Sequence, residues 1–267
     1  LNAAVLGPDV EVGSDVWYAF IRNVLTDIRQ KTGQKCTAVR RIFIPSNRVN
    51  DVKEALVEDL EQRTLVGYPT EKEVSMGPVA SAAQLRDVRA GIEAFSQHAD
   101  LLTGGTQPVS GKYAPEGKGY FVAPTLFLAR DSENALFHEQ EIFGPLLPVV
   151  EYEEINEATN IINSKDRPLG LYYFGNNKLE EDELLNKTSS GGVTVNNVIS
   201  HLQQNDLSFG GVGPSGMGRY KSFDGFKNFS NPRAYYKEVG FKLDKVFDAV
   251  RPPYKGDIEK VLKKLMK

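Results

Sequence analysis

The chain has 267 residues, of which 40% are hydrophobic and 25% are charged. These values are ordinary for a globular protein, and this length can bury a sizeable core in one large domain or two small ones. The formal net charge of −3 and the pI of about 5.8 exclude the basic footprint of a nucleic-acid-binding domain. No apolar run approaches the ~18 residues of a membrane span, so neither a span nor a signal peptide is predicted.

Cysteine and histidine are sparse. Cys36 is the only cysteine, which excludes an internal disulfide and is typical of a reducing compartment, so we expect a cytoplasmic protein. The three histidines, His98, His138 and His201, are scattered without ligand spacing, and no metal site is predicted.

The first elements in chain order are a strand, a helix and a strand. Residues 1–6 form an apolar run that predicts a strand. Apolar residues then recur at three- and four-residue steps, which predicts a helix that begins after Ser14 as its N-cap and ends at Gly33. A run rich in β-branched and aromatic residues, Arg41–Pro45, predicts the next strand.

Cys36 therefore lies on a turn between a helix and a strand, where a side chain can be both exposed and fixed. Lys35 beside it carries a positive charge that would favour the nucleophilic thiolate. Without such context a free cysteine is usually a small buried hydrophobe, and residue chemistry alone leaves the two interpretations even.

The rest of the chain continues the alternation of helices and strands. Four further helices are predicted: over residues 47–63, after the capping box of Ser81 and Gln84, over Ile155–Asn163 and over residues 179–187. Four further strands are predicted over residues 120–129, 147–152, 169–174 and Gly192–Val195, the last as a core strand. Pro124 places residues 120–129 at a sheet edge or bulge. The alternation predicts an α/β fold with a mainly parallel, helix-covered sheet.

The composition shifts after Arg219, which suggests a boundary. We predict an α/β domain over residues 1–230 and an extended C-terminal tail over residues 231–267, ending in a short basic helix from Asp257 to Lys267. The tail is interpreted as a docking or oligomerisation segment, and a solvated terminal helix is an equally good interpretation.

Three motifs occur in one order along the chain: Gly-Gln-Lys-Cys-Thr at residues 33–37, Glu-Ile-Phe-Gly-Pro at residues 141–145, and a glycine-rich segment at residues 209–219. Together they resemble the C-terminal, catalytic-domain portion of the aldehyde dehydrogenase superfamily. The resemblance covers nearly the whole chain and implies that family's α/β catalytic domain.

The resemblance implies a reaction and assigns residues to it. Cys36 would attack an aldehyde carbonyl, the thiohemiacetal would give a hydride to NAD or NADP, and water would hydrolyse the remaining thioester to a carboxylate. Glu141 would contact the nicotinamide ribose, and Phe143 would pack beside the ring. The alternatives are a solvated loop glutamate and an ordinary core phenylalanine.

Further residues are candidates for the substrate end. Asn196 and Asn197 fall where the family has an asparagine near the active site, although asparagine is also a common turn residue. His201 lies in a polar loop, residues 198–207, that is the predicted substrate wall. The glycine-rich segment lacks a strand–loop–helix frame with a later acidic residue, so it is interpreted as structural rather than phosphate-binding.

The resemblance is incomplete upstream. The family's general-base glutamate, its oxyanion asparagine and most of its cofactor-binding domain precede the nucleophile, and Asp9 and Glu11 show no matching motif. We expect a catalytic-domain fragment that is inactive alone as a dehydrogenase, from an enzyme that forms a homo-dimer or higher homo-oligomer.

Two substrate classes and two other functions stay open. Up to about residue 130 the chain resembles dehydrogenases of CoA-linked semialdehydes, on motifs that include Arg40 and Arg41. From residue 188 onwards it resembles class 3 aldehyde dehydrogenases, which take fatty and aromatic aldehydes. The other functions are a CoA-dependent acylating dehydrogenase or acyl transferase that uses the same cysteine, and a non-catalytic assembly domain.

Overall fold

A seven-stranded sheet forms the centre of the structure. The computed structural model describes residues 1–237, 252–253 and 257–266. The strands are β1 (Ala3–Leu6), β2 (Arg41–Pro45), β3 (Ala99–Thr103), β4 (Thr125–Ala129), β5 (Leu146–Tyr152), β6 (Gly170–Phe174) and β7 (Gly192–Val195). Their order across the sheet is β3-β4-β5-β2-β1-β6-β7. β3 runs antiparallel to β4, and every other pair in this order is parallel.

Helices cover both faces of this sheet. The helices of the described residues are α1 (Asp15–Arg29), α2 (Val49–Arg63), α3 (Ala82–Ser96), α4 (Leu136–Glu139), α5 (Ile155–Asn163), α6 (Lys178–Lys187), α7 (Ser200–Gln203), α8 (Ser222–Asn228) and, in a separate C-terminal unit, α9 (Ile258–Leu265). Alternate residues of β1 belong to different cores, because successive strand side chains point to opposite faces. Ala4 and Leu6 pack with α1 and α2, whereas Ala3 and Val5 pack with α5. The predicted α/β fold with a mainly parallel, helix-covered sheet is confirmed.

The helix before Cys36 begins as predicted and ends early. The Ser14 hydroxyl accepts a hydrogen bond from the backbone N–H of Trp17 at 3.2 Å, and Phe20 packs edge-on against Phe174 of β6. The helix ends at Arg29 instead of Gly33, because Lys31 and Thr32 adopt positive φ angles that break the α-helical ladder. A kinked turn over residues 30–33 replaces the predicted last helical turn.

Two strand predictions need correction. β4 begins at Thr125 and lies between β3 and β5, so the edge alternative is wrong, whereas a register shift between Leu101 and Thr103 of β3 does interrupt its pairing with β4. Pro124 directly precedes it, so its missing N–H removes no hydrogen bond from the sheet ladder. β7 was predicted as a core strand but lies at the sheet edge, where Val193 is 36% exposed.

The described residues separate into two compact units, Leu1–Phe229 and Ser230–Lys267. The second unit contains α9, whose N-cap Asp257 accepts a hydrogen bond from the backbone N–H of Lys260 at 3.2 Å. Residues 238–251, 254–256 and 267 of the predicted docking tail lie outside the described part of the chain. None of the helices in the described part combines the length and the apolar character needed to cross a membrane.

The motif that contains Cys36 and the Glu-Ile-Phe-Gly-Pro motif touch through backbone atoms. Gly33 has a φ of +69°, and a Cβ added to it would lie 2.7 Å from the carbonyl carbon of Gly144 and collide with its oxygen. Only glycine combines that backbone conformation with so close an approach. The contact holds the turn before Cys36 against the segment that carries Glu141 and Phe143.

Gly33→Ala should therefore lower the free energy of unfolding by about 3 kcal/mol, from overpacking added to the cost of a left-handed alanine. Gly117→Ala is the matched control, since Gly117 has the same φ of +69° with no atom within 4 Å of its added Cβ. We expect the control to cost only about 1 kcal/mol, which is the conformational part alone. Urea unfolding measures both, and equal losses would contradict the close contact.

Two buried side chains lie side by side: Arg41 at the start of β2 and His138 of α4. Arg41 is fully buried, and its Nη1 lies 2.7 Å from His138 Nδ1. His138 Nε2 lies 2.7 Å from the carbonyl oxygen of Ser132, so Nε2 carries the proton and donates it while Nδ1 accepts from Arg41. Burial, with Arg41 adding to it, lowers the pKa of His138 to about 4. The ring is therefore neutral at physiological pH.

This neutral histidine makes the fold sensitive to acid. Between a pKa of about 4 when folded and ~6.5 when unfolded, the unfolded chain binds more protons, so the free energy of unfolding falls as the pH falls through this window. The loss attributable to His138 is about 3 kcal/mol at most. His138→Gln should flatten the dependence of the urea midpoint on pH between 7 and 4.5. His98 is exposed and provides the control. If His98→Gln flattened the pH dependence of the urea midpoint as much as His138→Gln does, the assignment would be contradicted.

Candidate active site

The turn that carries Cys36 is held at its backbone while the cysteine itself is exposed. Asn2 is buried, and its Nδ2 donates to the carbonyl oxygens of Cys36 at 2.9 Å and Ala38 at 2.8 Å. Its Oδ1 accepts from the backbone N–H of Gly170 at 2.8 Å. The hydroxyl of Tyr172 donates to the carbonyl oxygen of Thr37 at 2.7 Å. The residue before β1 and two residues of β6 thus fix the backbone position of Cys36.

Lys35 does not present a free charge to Cys36, contrary to the expectation from the sequence. Its ammonium group forms an ion pair with the buried carboxylate of Asp27 and also donates to Gln30 Oε1 at 3.0 Å. The other oxygen of Asp27 accepts from the backbone N–H of Val39 at 2.6 Å. Asp27 on α1 therefore neutralises the charge of Lys35 and, through Val39, also fixes the backbone that follows Cys36.

Arg40, which the sequence analysis did not select as a site residue, is a buried cation that pairs with Glu141. Arg40 is 5% exposed, and its Nε lies 3.2 Å from Glu141 Oε1. Its guanidinium group sits over the Phe143 ring, 4.8 Å from the centroid. Burial lowers the pKa of Arg40, and the attraction of Glu141 opposes that effect. The signal available in the sequence was a charged pair, Arg40-Arg41, at the start of an apolar strand, because buried charges need partners.

Glutamine side chains add a second connection between the two motifs. Gln34 Nε2 donates to Gln84 Oε1 at 2.9 Å and to the carbonyl oxygen of Phe143 at 3.3 Å. Gln34 Oε1 accepts from the backbone N–H of Ala80 at 2.8 Å. The Gly-Gln part of the motif is thus a connector between the turn, α3 and the Phe143 segment.

Cys36, Glu141 and Phe143 line one open cavity of about 360 Å³. The Glu141 side chain is 50% exposed, and Phe143 is 37% exposed. The cavity wall consists of Leu1, Asn2, Cys36, His138, Glu139, Glu141, Phe143, Asp166, Arg167, Leu169, Pro214 and Ser215. A thiol, a carboxylate and an aromatic face therefore meet in one cleft, with two residues of the glycine-rich segment on its wall.

The other sequence candidates lie outside this wall. Asn196 has a φ of +55°, and its side chain bonds both backbone polar groups of Gly175, at 2.9 and 3.2 Å. Asn197 Oδ1 accepts from the backbone N–H of Val198 at 2.8 Å. Asn197 thus makes a local turn contact, the plain alternative for it, whereas Asn196 connects the end of β7 to the residue that follows β6.

His201 is packed under the glycine-rich segment. Its Nδ1 lies 2.8 Å from Thr194 Oγ1, and its ring stacks on Phe209 with centroids 5.8 Å apart. Burial lowers its pKa. Part of the predicted loop around it is the short helix α7, whose packing turns His201 into the core. In the described part of the chain, no group of three or more His, Cys, Asp or Glu side chains could hold a metal ion.

Comparison with known proteins finds relatives among the aldehyde dehydrogenases. The profile of the aldehyde dehydrogenase family matches residues 10–235. A probable coniferyl aldehyde dehydrogenase of Caulobacter vibrioides is 45% identical over 141 residues, which are 53% of this chain and 29% of that protein. A probable coniferyl aldehyde dehydrogenase of Pseudomonas aeruginosa is 33% identical over 237 residues, which are 87% of this chain and 46% of that protein.

A solved structure has the same fold. The aldehyde dehydrogenase C mutant of Pseudomonas syringae, in complex with NAD+ and octanal, superposes with a TM-score of 0.73 at 29% identity, over 85% of this chain and 44% of that one. The chain thus spans less than half the length of these proteins. The profile match over most of its residues, together with this shared fold, establishes that the chain belongs to the aldehyde dehydrogenase family.

Proposed function

We propose that the chain is the catalytic portion of an NAD(P)-dependent aldehyde dehydrogenase, with Cys36 as its nucleophile. The observation that carries this proposal is the shared cavity: an exposed Cys36 on a backbone-fixed turn opens on the same cleft as Glu141 and Phe143. Family membership supports the reaction class, the oxidation of an aldehyde to a carboxylate.

The chemistry begins at the sulfur of Cys36. Its thiolate adds to the carbonyl carbon of the aldehyde, and the carbonyl oxygen becomes an oxyanion that needs hydrogen-bond donors. The backbone N–H of Cys36 makes no hydrogen bond within the described residues, so it is available as one donor. Loss of hydride from the thiohemiacetal leaves a thioester on Cys36, and water releases the carboxylate and restores the thiol.

The cavity fits the nicotinamide half of NAD or NADP, which supplies the hydride acceptor when bound. The half-exposed carboxylate of Glu141 can accept hydrogen bonds from a ribose diol, while Arg40 holds its Oε1. The exposed face of Phe143 offers an apolar contact for a flat ring. The NAD+ complex of the Pseudomonas syringae enzyme supports this assignment.

The substrate we propose is an aldehyde with an aromatic or long apolar body. The names of the two relatives, coniferyl aldehyde dehydrogenases, and the octanal of the solved structure support this class over a CoA-linked semialdehyde. Three of the candidates from the sequence would act on the substrate only indirectly, since they lie outside the wall of the Cys36 cavity: Asn196, Asn197 and His201.

The domain assignment is also a proposal. Residues 1–230 would form the catalytic domain and residues 231–267 a docking segment, in a cytoplasmic homo-dimer or larger homo-oligomer. The exposed edge strand β7 supports assembly, because unpaired strand edges are usually covered. The general base, the second oxyanion donor and most of the cofactor site would come from residues other than these 267.

The test is a fusion that places the cofactor-binding half of the Pseudomonas aeruginosa relative before Leu1. The fusion should form NADH or NADPH from octanal or coniferyl aldehyde, and Cys36→Ala should lower the rate at least ~10³-fold because no thiohemiacetal can form. Arg130→Gln, a surface change at the end of β4, is the control and should keep the rate. The 267-residue chain alone should give no turnover.

Three outcomes would contradict parts of this proposal. Steady NADH formation by the chain alone would exclude the fragment assignment. A folded fusion that turns over no aldehyde would exclude the dehydrogenase, and formation of acyl-CoA instead of free acid would identify a CoA-dependent acyl transfer. Preference for a CoA-linked semialdehyde would reverse the proposed substrate class.

A further inference from the structure

We propose that Asn2 and Arg40 are positioning residues that fix the direction of the Cys36 backbone N–H, the donor proposed for the oxyanion. The inference rests on the proposed role of Cys36 as nucleophile and adds two residues that the reaction scheme does not use. Both act on the backbone of the turn and not on the reacting atoms. The evidence is the set of hydrogen bonds to the two peptide groups that meet at the Cα atom of Cys36.

The first peptide group joins Lys35 to Cys36 and contains the donor N–H. Its carbonyl oxygen, on Lys35, accepts from Arg40 Nη2 at 3.0 Å and from the backbone N–H of Ala38 at 3.1 Å. This peptide bond is trans, so its N–H points in the direction opposite to its C=O. Two donors on the carbonyl side therefore set the direction of the Cys36 N–H, which makes no hydrogen bond of its own within the described residues.

The second peptide group joins Cys36 to Thr37. Its carbonyl oxygen accepts from Asn2 Nδ2 at 2.9 Å. Asn2 is 4% exposed, and its Oδ1 accepts from the backbone N–H of Gly170 at 2.8 Å, so its amide can face only one way. Because peptide groups are planar, holding the one before and the one after Cys36 restricts both of its backbone dihedral angles.

The guanidinium group of Arg40 is held by further acceptors. Its Nε lies 3.2 Å from Glu141 Oε1, and its Nη1 donates to the carbonyl oxygen of Gly144 at 3.3 Å. Its backbone N–H donates to the carbonyl oxygen of Asn2 at 3.0 Å. A planar fork with three acceptors can hold a carbonyl in a fixed direction, which a single flexible donor cannot do. Asn2 and Arg40 thus belong to one hydrogen-bond network around the backbone of Cys36.

The direction of this N–H matters only where negative charge develops on an oxygen. A donor that already points at that place stabilises the transition state without reorganisation. Displacement at a saturated carbon forms no oxyanion, and its rate should not depend on where the N–H points. Two reactions of one sulfur, one with an oxyanion and one without, therefore separate the positioned donor from the reactivity of the thiol.

The single cysteine allows this comparison on the chain as it exists, without a cofactor. In the first reaction the Cys36 thiolate attacks the carbonyl carbon of p-nitrophenyl acetate, and the tetrahedral oxyanion collapses to a thioester and p-nitrophenolate, whose absorbance is measured. In the second the thiolate displaces iodide from iodoacetamide. Both rates follow the thiolate concentration, so their ratio cancels changes in the pKa of the thiol. Cys36→Ala gives the background rate of other groups.

The ratio of acylation to alkylation rates should be about 10-fold higher for the parent chain than for N-acetylcysteine, a thiol without a positioned donor. Asn2→Leu keeps the branched shape without its donors and should lower the ratio about 5-fold. Arg40→Met should lower it about 3-fold, because the Ala38 N–H still holds the Lys35 carbonyl. Arg40→Lys keeps the charge without the fork, and the ratio should fall as far as in Arg40→Met.

Two variants with matched losses serve as controls. Asn23→Ala removes an amide donor that bonds the carbonyl oxygen of Ala19 at 2.7 Å within α1. Arg130→Gln removes a surface arginine that bonds Asp100 Oδ1 at 2.7 Å. Both controls should keep the parent ratio. Circular dichroism and urea midpoints verify that each variant is folded.

Each result decides the proposal. Acylation and alkylation rates that fall together in the Asn2 and Arg40 variants would show that these residues only stabilise the turn. A ratio lost in Arg40→Met and kept in Arg40→Lys would assign the effect to charge and overturn the role of direction.

The parent chain tests the proposal even if a variant does not fold, since a ratio equal to that of N-acetylcysteine would exclude a positioned donor. Neither reagent needs NAD or NADP. Failure of aldehyde turnover in the fusion would therefore count against the proposed function, and an unchanged ratio in the variants would count against this inference alone.

Discussion

The close approach of Gly33 to Gly144 is the contact on which the site depends. The two glycines come from motifs more than a hundred residues apart, and a Cβ on Gly33 would collide with the Gly144 carbonyl. Because no side chain larger than hydrogen fits at Gly33, the backbone of the turn with Cys36 lies directly against the backbone of the segment with Glu141. Arg40 and Gln34 then add hydrogen bonds across the same boundary.

Buried polar groups hold the Cys36 turn in place. Asn2 uses its amide for two carbonyls of the turn and its oxygen for a backbone N–H of β6, so each of its polar atoms has a partner. A buried amide left without partners is costly, and this arrangement therefore resists rearrangement of the turn. The result is an exposed thiol on a backbone that the core determines, which suits a nucleophile whose reach must be reproducible.

Burial and pairing, and not closeness in sequence, decide where the charged side chains near Cys36 lie. Lys35 adjoins Cys36 along the chain, yet its ammonium points back to Asp27 on α1. Arg40, four residues after Cys36, directly precedes β2 and pairs with Glu141, which lines the cleft. Chain neighbours on a turn often point apart, whereas residues from different elements can converge on one cavity.

The sequence by itself determined the alternation of elements, the parallel character of the sheet and the position of Cys36 between α1 and β2. These follow from local patterns, such as the apolar period of α1 and its Ser14 cap, that need no distant partner. Tertiary structure alone decided that β4 is interior, that β7 is an edge, and that His201 and the two asparagines lie away from the Cys36 cavity. It also decided that Arg40 pairs with Glu141 of the cavity wall whereas Lys35 pairs with Asp27 of α1, because burial and long-range pairing depend on which surfaces the whole sheet brings together.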